Sequence, residues 1–206
     1  MNIKVLQVNP IGTNCYIVYD DLKNAFIVDP GGDADLIISN AQEFEVKYIL
    51  LTHTHYDHIG ALDDLTAAFP DAKVAVHQIE KDALYDAAKN LSVGFNLTYE
   101  YEGDVHLELN DKDELSFGEN KIKVIHTPGH TAGGVCYFVE DLLFSGDTLF
   151  KSSVGRTDLP GGDAVTLLKS IRQKLYSLPG KTTVYPGHMD KTTISWEKQR
   201  NPYVKS

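Results

Sequence analysis

The sequence predicts a mixed α/β fold, arranged as a four-layer αβ/βα sandwich in a single domain over residues 1–206. Two observations favour this class. A series of strands followed by alternating strands and helices occurs twice along the chain, which suggests two similar halves packed sheet to sheet with helices outside. In addition, four short apolar runs end at loops that carry metal-ligating types of side chain.

The first half begins with alternating apolar residues separated by turn clusters, and apolar spacing typical of helices follows. The predicted strands are 3–8, 13–19, 25–29, 46–51 and Lys73–His77, and the predicted helices are Asp33–Glu43, Gly60–Ala68 and Glu80–Ala88. Residues 89–104 are mixed and polar. We interpret them as a surface loop with aromatic anchors, with a substrate-facing flap as the alternative.

The second half repeats this order. The predicted strands are 114–117, 121–126, 134–139, 142–145 and 182–185, and the predicted helices are Asp163–Leu178 and 192–199. Both cysteines, Cys15 and Cys136, lie in strand-like runs, which favours buried thiols over a disulfide or a metal site.

Composition narrows the function classes. The formal net charge is −10, which argues against a large nucleic-acid interface, since such interfaces need clustered Lys and Arg. No apolar run approaches the length of a membrane span. The N-terminal residues alternate like a strand and lack the apolar core of a signal peptide. We therefore expect a cytoplasmic protein with neither nucleic acid nor a membrane as partner.

The stretch Thr52–His58 concentrates three imidazoles and a carboxylate within six residues, directly after the apolar run 48–51. His53 and His55 are two residues apart, so on extended backbone they point the same way and can grip one cation. Asp57 and His58 lie where the chain bends and can turn to a second position. A lone histidine at a strand end is more often a surface residue, but four such side chains at this spacing indicate a metal site for zinc, iron, manganese or nickel.

Three later loops repeat the arrangement of apolar run, Gly or Pro, and ligand-type side chain. They carry His130, Asp147 and His188. Asp29 follows another apolar run and is either an acceptor for the second nitrogen of a ligating histidine or a turn-forming residue before Pro30. The remaining histidines, His77, His106 and His126, fall outside this pattern and are expected to be structural.

The motifs Thr-His-Thr-His-Tyr-Asp-His at 52–58, Thr-Pro-Gly-His-Thr at 127–131, Gly-Asp-Thr at 146–148 and Pro-Gly-His at 186–188 resemble the metallo-β-lactamase superfamily. Within it, the chain is similar to the glyoxalase II (hydroxyacylglutathione hydrolase) group in a short, single-domain form. The resemblance implies the metallo-β-lactamase fold. It also implies that His53, His55 and His130 hold one metal, that Asp57, His58 and His188 hold another, and that Asp147 bridges them.

The resemblance further implies two divalent ions, with zinc expected and iron or manganese as alternatives. Such a pair lowers the pKa of a bound water toward about 7, and the resulting hydroxide would attack a thioester such as S-lactoylglutathione. Asp57 and Asp147 are the candidate catalytic carboxylates. Arg156 matches a position that contacts the glutathione carboxylate in glyoxalase II, and Lys151, nearby in sequence, is the second candidate for substrate binding. The alternative is that both are solvated surface cations.

Two departures from glyoxalase II leave another thiol carrier open. The helical C-terminal domain that completes the glutathione site in that group does not follow here, and Asp190 stands where the group often has Tyr. The alternative enzyme class is a persulfide dioxygenase of the same superfamily, which would use one iron on His53, His130 and Asp147.

Three other functions are less consistent with the sequence. The common dinuclear β-lactamases replace the bridging Asp with Cys, which disfavours that activity here. A nuclease is disfavoured by the net charge. A non-catalytic metal-binding module is the remaining alternative, and the complete ligand set argues against it.

Overall fold

The structure, a computed structural model, describes residues 1–205. They form two compact units, Met1–Leu109 and a second unit that begins at Asn110. Each unit contains one six-stranded sheet together with helices, so the predicted mixed α/β class is confirmed. The assignment of the whole chain to one domain stays a prediction.

The first unit is built on a sheet in which the strands follow their order along the chain. The strands are β1 Asn2–Val8, β2 Thr13–Tyr19, β3 Asn24–Val28, β4 Glu45–Leu50, β5 Lys73–His77 and β6 Leu107–Leu109. Strands β1 to β3 are antiparallel, whereas β3 to β6 are parallel. The last four residues of β3 are all buried, as expected for a parallel strand that is covered on both faces.

Four helices follow strands in this unit. They are α1 Ala34–Ala41, α2 Tyr56–Ile59, α3 Leu62–Ala68 and α4 Lys81–Leu84. The predicted helix Gly60–Ala68 begins only at Leu62, and the residues before it form the separate one-turn helix α2. The predicted helix Glu80–Ala88 was too long, because the Asp86 side chain accepts hydrogen bonds from the backbone N–H groups of Ala88 and Lys89 and turns the chain.

The segment 89–104 is a loop tied down by polar and aromatic contacts, with one 3₁₀ turn at Ser92–Phe95. The Asn90 side chain donates to the carbonyl of Tyr99 at 2.8 Å, and the backbone N–H of Tyr99 donates to the Ser92 hydroxyl at 3.0 Å. The Tyr56 ring of α2 packs against Tyr99. These contacts agree with the interpretation of an aromatic-anchored surface loop.

The second unit contains a sheet in the order β14-β13-β10-β9-β8-β7 and a separate two-stranded ribbon, β11-β12. The strands are β7 Glu114–Phe117, β8 Asn120–His126, β9 Val135–Val139, β10 Leu142–Gly146, β11 Leu149–Phe150, β12 Ser153–Val154, β13 Thr183–Pro186 and β14 Thr192–Thr193. Only β10 and β13 pair in parallel, and the other pairs are antiparallel. The short strands β6, β11, β12 and β14 were not predicted, since two or three residues carry no periodicity.

The helices of this unit are α5 Ala164–Ser170, which continues as a π-helical turn at Ile171–Leu175, and α6 Ile194–Arg200. The predicted helix Asp163–Leu178 therefore changes its hydrogen-bonding pattern halfway and ends before Pro179. The predicted helix 192–199 begins two residues late, because its first two residues pair with β13 instead.

Each unit has its own apolar core between its sheet and its helices. In the first unit, Ile27 and Ile49 of the sheet cluster with Ile37 of α1 and Leu65 of α3. In the second, the core residues include Leu143, Val184, Leu167, Ile171 and Ile194. Among the described residues, no helix has both the length and the apolar character needed to cross a membrane. The cytoplasmic location stays a prediction.

The N-terminus of α5 provides a stability test. The Asp163 side chain accepts a hydrogen bond from the backbone N–H of Thr166 at 2.6 Å, which satisfies a group that the helix leaves unbonded. We expect Asp163→Ala to lower the free energy of unfolding by about 1 kcal/mol in urea denaturation. Asp163→Asn, which also caps well, should stay close to the parent. Equal losses in both variants would show that the cap is not the source of the effect.

Candidate metal centre

The parallel strands of the first unit end at one edge of their sheet, and polar side chains follow each of them. Asp29 comes directly after β3, His53 shortly after β4, and Glu80 shortly after β5. The carboxyl ends of parallel strands are where α/β proteins place binding sites. The local sequence therefore produces a cluster of polar side chains at this edge.

His53 and His55 bring ring nitrogens together, as their spacing predicts. His53 Nε2 and His55 Nδ1 lie 3.1 Å apart, and both side chains are buried. Two nitrogens bound to one tetrahedral ion at about 2.0–2.1 Å would lie about 3.4 Å apart, so the observed separation is close to that of a shared cation. His53 Nδ1 lies 3.1 Å from the hydroxyl of Thr52.

Asp57 and His58 sit on the one-turn helix α2 rather than in a loop. The Asp57 Oδ2 atom accepts a hydrogen bond from the Thr13 hydroxyl at 2.8 Å and lies 3.3 Å from His58 Nε2. The turn packs tightly on the chain before α1, since a Cβ on Gly31 would lie 1.7 Å from the carbonyl oxygen of Asp57. Both side chains are buried and bring a carboxylate oxygen and an imidazole nitrogen close together within this unit, and the second metal position stays a prediction.

Asp29 is hydrogen-bonded to the segment Thr52–His58, which carries four of the candidate ligands. Its Oδ1 accepts from the backbone N–H of Thr52 at 2.8 Å, and its Oδ2 accepts from the Thr52 hydroxyl at 2.7 Å. The same Oδ2 lies 3.0 Å from His58 Nδ1 and fixes the ring. Of the two interpretations of Asp29, the acceptor for a candidate ligand histidine agrees with these contacts, although its backbone also turns, with φ of 51°.

Glu80 is a buried carboxylate that sequence reasoning missed. Its Oε2 accepts from both the backbone N–H and the hydroxyl of Thr54, at 3.2 and 2.8 Å. Thr54 lies between His53 and His55, so Glu80 braces the strand-like segment on which both rings stand. The sequence signal that could have identified it is its place shortly after the third parallel strand, although it is also the N-cap residue of α4.

The second unit gathers the other three predicted ligands at one edge of its sheet. β8 and β10 both run antiparallel to β9 and so share a direction, and β13 is parallel to β10. Asp147 Oδ2 lies 3.6 Å from His130 Nε2 and 3.6 Å from His188 Nε2. These distances exceed a good hydrogen bond, and they place the carboxylate midway between two imidazoles, as a shared ligand would be.

His130 is oriented by the backbone after β12. Its Nδ1 donates to the carbonyl oxygen of Arg156 at 2.7 Å, which leaves Nε2 for a ligand. This contact requires close approach, since a Cβ on Gly155 would lie 1.8 Å from the carbonyl oxygen of Asp147. Gly155 therefore allows the backbone to fit between His130 and Asp147.

Both donor sets fit a divalent metal. Imidazole nitrogens and carboxylate oxygens suit zinc, iron or manganese, and neither set contains a thiolate. The two cysteines are buried and belong to neither set, and burial raises the pKa of the Cys15 thiol.

His77, His106 and His126 make hydrogen bonds to backbone groups, in agreement with the expected structural role.

The two predicted substrate-binding cations are exposed and already paired. The Arg156 guanidinium makes two hydrogen bonds of 2.7 Å to Asp158, and Lys151 Nζ lies 3.0 Å from Asp190. The hydrogen bonds from Arg156 lower the pKa of Asp158 to about 2. Because its pKa is lowered, this carboxylate stays ionised as the pH falls until about 2.

Comparison with known proteins identifies the family of the chain. The model of the metallo-β-lactamase superfamily matches residues 8–188. A Bacillus subtilis protein named as a probable metallo-hydrolase is 40% identical over 99% of this chain and 98% of its own length. The hydroxyacylglutathione hydrolase GloC of Haemophilus influenzae is 35% identical over 100% of this chain and 99% of its own.

Solved structures of metal-binding proteins are also similar to this chain. The BLEG-1 B3 metallo-β-lactamase is 40% identical and superposes with a TM-score of 0.94 over 100% of both chains. Another structure, solved in a di-iron-bound form, is 32% identical with a TM-score of 0.86 over 98% of this chain and 100% of its own. The family match spans most of the chain, and β14 and α6 lie beyond its end at residue 188. The chain therefore belongs to the metallo-β-lactamase superfamily and has its mixed α/β fold.

Proposed function

We propose that the chain is a metal-dependent hydrolase that cleaves thioesters, and that it holds two divalent ions. Membership of the superfamily and the full-length similarity to a hydroxyacylglutathione hydrolase support the proposal. Zinc is the expected metal, with iron or manganese as alternatives. The proposed ligands are His53, His55, Asp57, His58, His130, Asp147 and His188.

One observation carries the metal part of the proposal. In each unit a candidate ligand histidine has its Nδ1 placed against an acceptor, Asp29 for His58 and the carbonyl of Arg156 for His130. This arrangement keeps the proton on Nδ1 and presents the lone pair of Nε2. Metal-binding histidines are typically oriented in this way.

When bound, a pair of divalent ions supplies a Lewis acid for a carbonyl and a water of lowered pKa. The chain contributes two carboxylates held in fixed positions. The Thr13 hydroxyl orients Asp57, which we propose accepts the proton released in the reaction. Asp147 stands between His130 and His188. A thioester suits such a site, because its thiolate leaving group is a weak base and needs no strong general acid.

The proposed contacts to the thiol carrier are Arg156 and Lys151. The Arg156 carbonyl holds His130, so its guanidinium extends from a segment that touches the site. Asp158 and Asp190 compete with an anionic carrier for these two cations. We therefore propose that the carrier is recognised less through charge than it would be if both cations were unpaired.

β-Lactam hydrolysis is a second candidate. The observation that favours it is the 40% identity and TM-score of 0.94 to a B3 metallo-β-lactamase. The same donor set could serve an amide carbonyl, but a β-lactam releases an amine, which is a poorer leaving group than a thiolate and places more demand on proton donation.

The deciding experiment is metal analysis and turnover on one sample, purified without added metal and without a histidine tag. We expect about two divalent ions per chain and hydrolysis of S-lactoylglutathione. A chromogenic cephalosporin and glutathione persulfide should be assayed in parallel.

Three results would overturn the proposal. One iron per chain with oxygen uptake on the persulfide and no thioester cleavage would indicate the dioxygenase. Cleavage of the cephalosporin alone would indicate a β-lactamase. Two bound divalent ions with none of these activities would overturn glutathione as the carrier and keep the metal-dependent hydrolase scaffold.

Loss of a proposed ligand gives the first variant test. His53→Ala should lower kcat/KM by more than about 100-fold, since loss of a ligand should exceed the 10- to 100-fold cost of losing the partner of a ligand. His106→Ala removes a histidine that contacts only backbone in the described contacts, and its metal content and turnover should match the parent. Retained turnover in His53→Ala would contradict the ligand assignment.

Asp29→Asn tests the orientation of His58. The Asn oxygen can still accept from the Thr52 N–H, but its NH₂ group then faces His58 Nδ1 and drives the ring proton toward Nε2. We expect metal affinity, measured by competition with a chelator, to fall about 10- to 100-fold. Asp33→Asn, an exposed residue of the same segment, should leave the affinity unchanged. Equal affinity of Asp29→Asn and the parent would refute this role.

Asp158→Asn tests the carrier contact. Releasing Arg156 should raise kcat/KM for S-lactoylglutathione roughly two- to fivefold, since an exposed ion pair is weak. Asp141→Asn makes the same change in an exposed pair with Lys181 and should have no effect. If Asp158→Asn leaves kcat/KM unchanged, Arg156 does not bind the carrier.

A further inference from the structure

Glu197 of α6 is a fully buried carboxylate surrounded by donors. Both of its oxygens accept from the backbone N–H of Ser152, at 3.1 and 3.0 Å. The Thr192 hydroxyl donates to Oε1 at 2.6 Å, and the Asn201 amide donates to Oε2 at 2.8 Å. Burying a carboxylate costs free energy unless it is hydrogen-bonded in this way. We therefore asked which parts of the chain these hydrogen bonds hold together.

Two of the three donors, Ser152 and Thr192, belong to the segments that carry Asp147 and His188. Ser152 is the left-handed turn residue between β11 and β12, the ribbon that follows Asp147. Thr192 begins β14, four residues after His188. One carboxylate therefore joins both segments from the side of the helix.

Other contacts fix Glu197 itself. The Tyr176 hydroxyl lies 3.1 Å from the carbonyl oxygens of Glu197 and Val204. The Asn201 amide also donates to the carbonyl of Ser153 at 3.1 Å. The helix, the ribbon and the last residues of the described chain are thus held together, and the carboxylate has a rigid base.

A second side-chain link between the same segments is exposed. Lys151 and Asp190 pair at 3.0 Å on the surface, where solvent screens the interaction and an ion pair contributes little. At the backbone level, the Gly187 N–H donates to the carbonyl of Gly146 at 2.8 Å. The Phe150 ring of β11 also packs edge-on against the His188 ring, with ring centroids 6.0 Å apart. Glu197 is therefore a buried, hydrogen-bonded connection between these segments, beside that ring contact.

We propose that Glu197 is a positioning residue that sets the spacing between Asp147 and His188. The inference rests on the proposed function, because it gives Glu197 its importance through two proposed metal ligands. Glu197 touches neither substrate nor metal, and it acts through the ribbon and through β14.

The donor geometry separates two substitutions. Glu197→Ala leaves the N–H of Ser152 and the side chains of Thr192 and Asn201 buried without their acceptor. Glu197→Gln can direct its oxygen to Ser152 and Asn201 and its NH₂ to Thr192, whose hydroxyl can turn and accept. The Gln variant is therefore the conservative rescue. Thr192→Val is nearly isosteric and removes only the link to the His188 segment.

The experiment measures Zn²⁺ affinity of the metal-free full chain by chelator competition, with thermal melting on the same samples. We expect Glu197→Ala to bind at least tenfold more weakly, Glu197→Gln to stay within threefold of the parent, and Thr192→Val to fall between them. Asp190→Asn breaks the exposed link between the same segments and should change affinity less than twofold.

The outcomes are distinguishable. Parent-like Zn²⁺ affinity in Glu197→Ala and Thr192→Val, with only a lower melting temperature, would show a purely structural residue and overturn the inference. If Glu197→Ala does not fold, Thr192→Val decides alone. If the parent chain itself binds no Zn²⁺, iron or manganese, the proposed function fails and the inference fails with it.

Discussion

A histidine binds a metal ion through one ring nitrogen only when its proton resides on the other, and the candidate centre is organised around this constraint. His58 meets it through a carboxylate and His130 through a backbone carbonyl. Each acceptor is itself held in place, Asp29 by two bonds from Thr52 and the Arg156 carbonyl by the close approach that Gly155 permits. The tautomers are thus determined by parts of the chain that ligate nothing.

Buried carboxylates are the structural means by which the loops are fixed. Asp29, Glu80 and Glu197 are almost or fully buried, and each accepts at least two hydrogen bonds from segments next to candidate ligands. Burying an ion is expensive, and these donors offset the cost only if the loops keep one conformation. The loops therefore become rigid where the proposed chemistry needs rigidity, because any movement would expose an unpaired charge to an apolar environment.

The two cations proposed to bind substrate differ from these buried carboxylates in being exposed to solvent. Arg156 and Lys151 are exposed, and each is balanced by a carboxylate of its own unit. In a chain of net charge −10, this leaves little unbalanced positive charge to attract an anionic carrier. Exposed pairs are weak and can exchange partners, so they impose little rigidity on this part of the surface.

The sequence by itself determined the strand runs, the mixed α/β class and the seven candidate ligands, since periodicity and ligand spacing are local properties. His53 and His55 point together because two residues on an extended strand must do so. The tertiary structure decided which distant groups serve those ligands. Glu80 lies 26 residues from Thr54, and Glu197 lies 45 residues from Ser152. It also decided that Asp86 ends α4, that β6, β11, β12 and β14 exist, and that Arg156 and Lys151 are paired. The contacts of Glu80 and Glu197 and the pair between Lys151 and Asp190 depend on partners that only folding brings together. The Asp86 turn and the Arg156–Asp158 pair join residues only two or three apart, and whether such neighbours bond depends on the backbone conformation that the fold imposes.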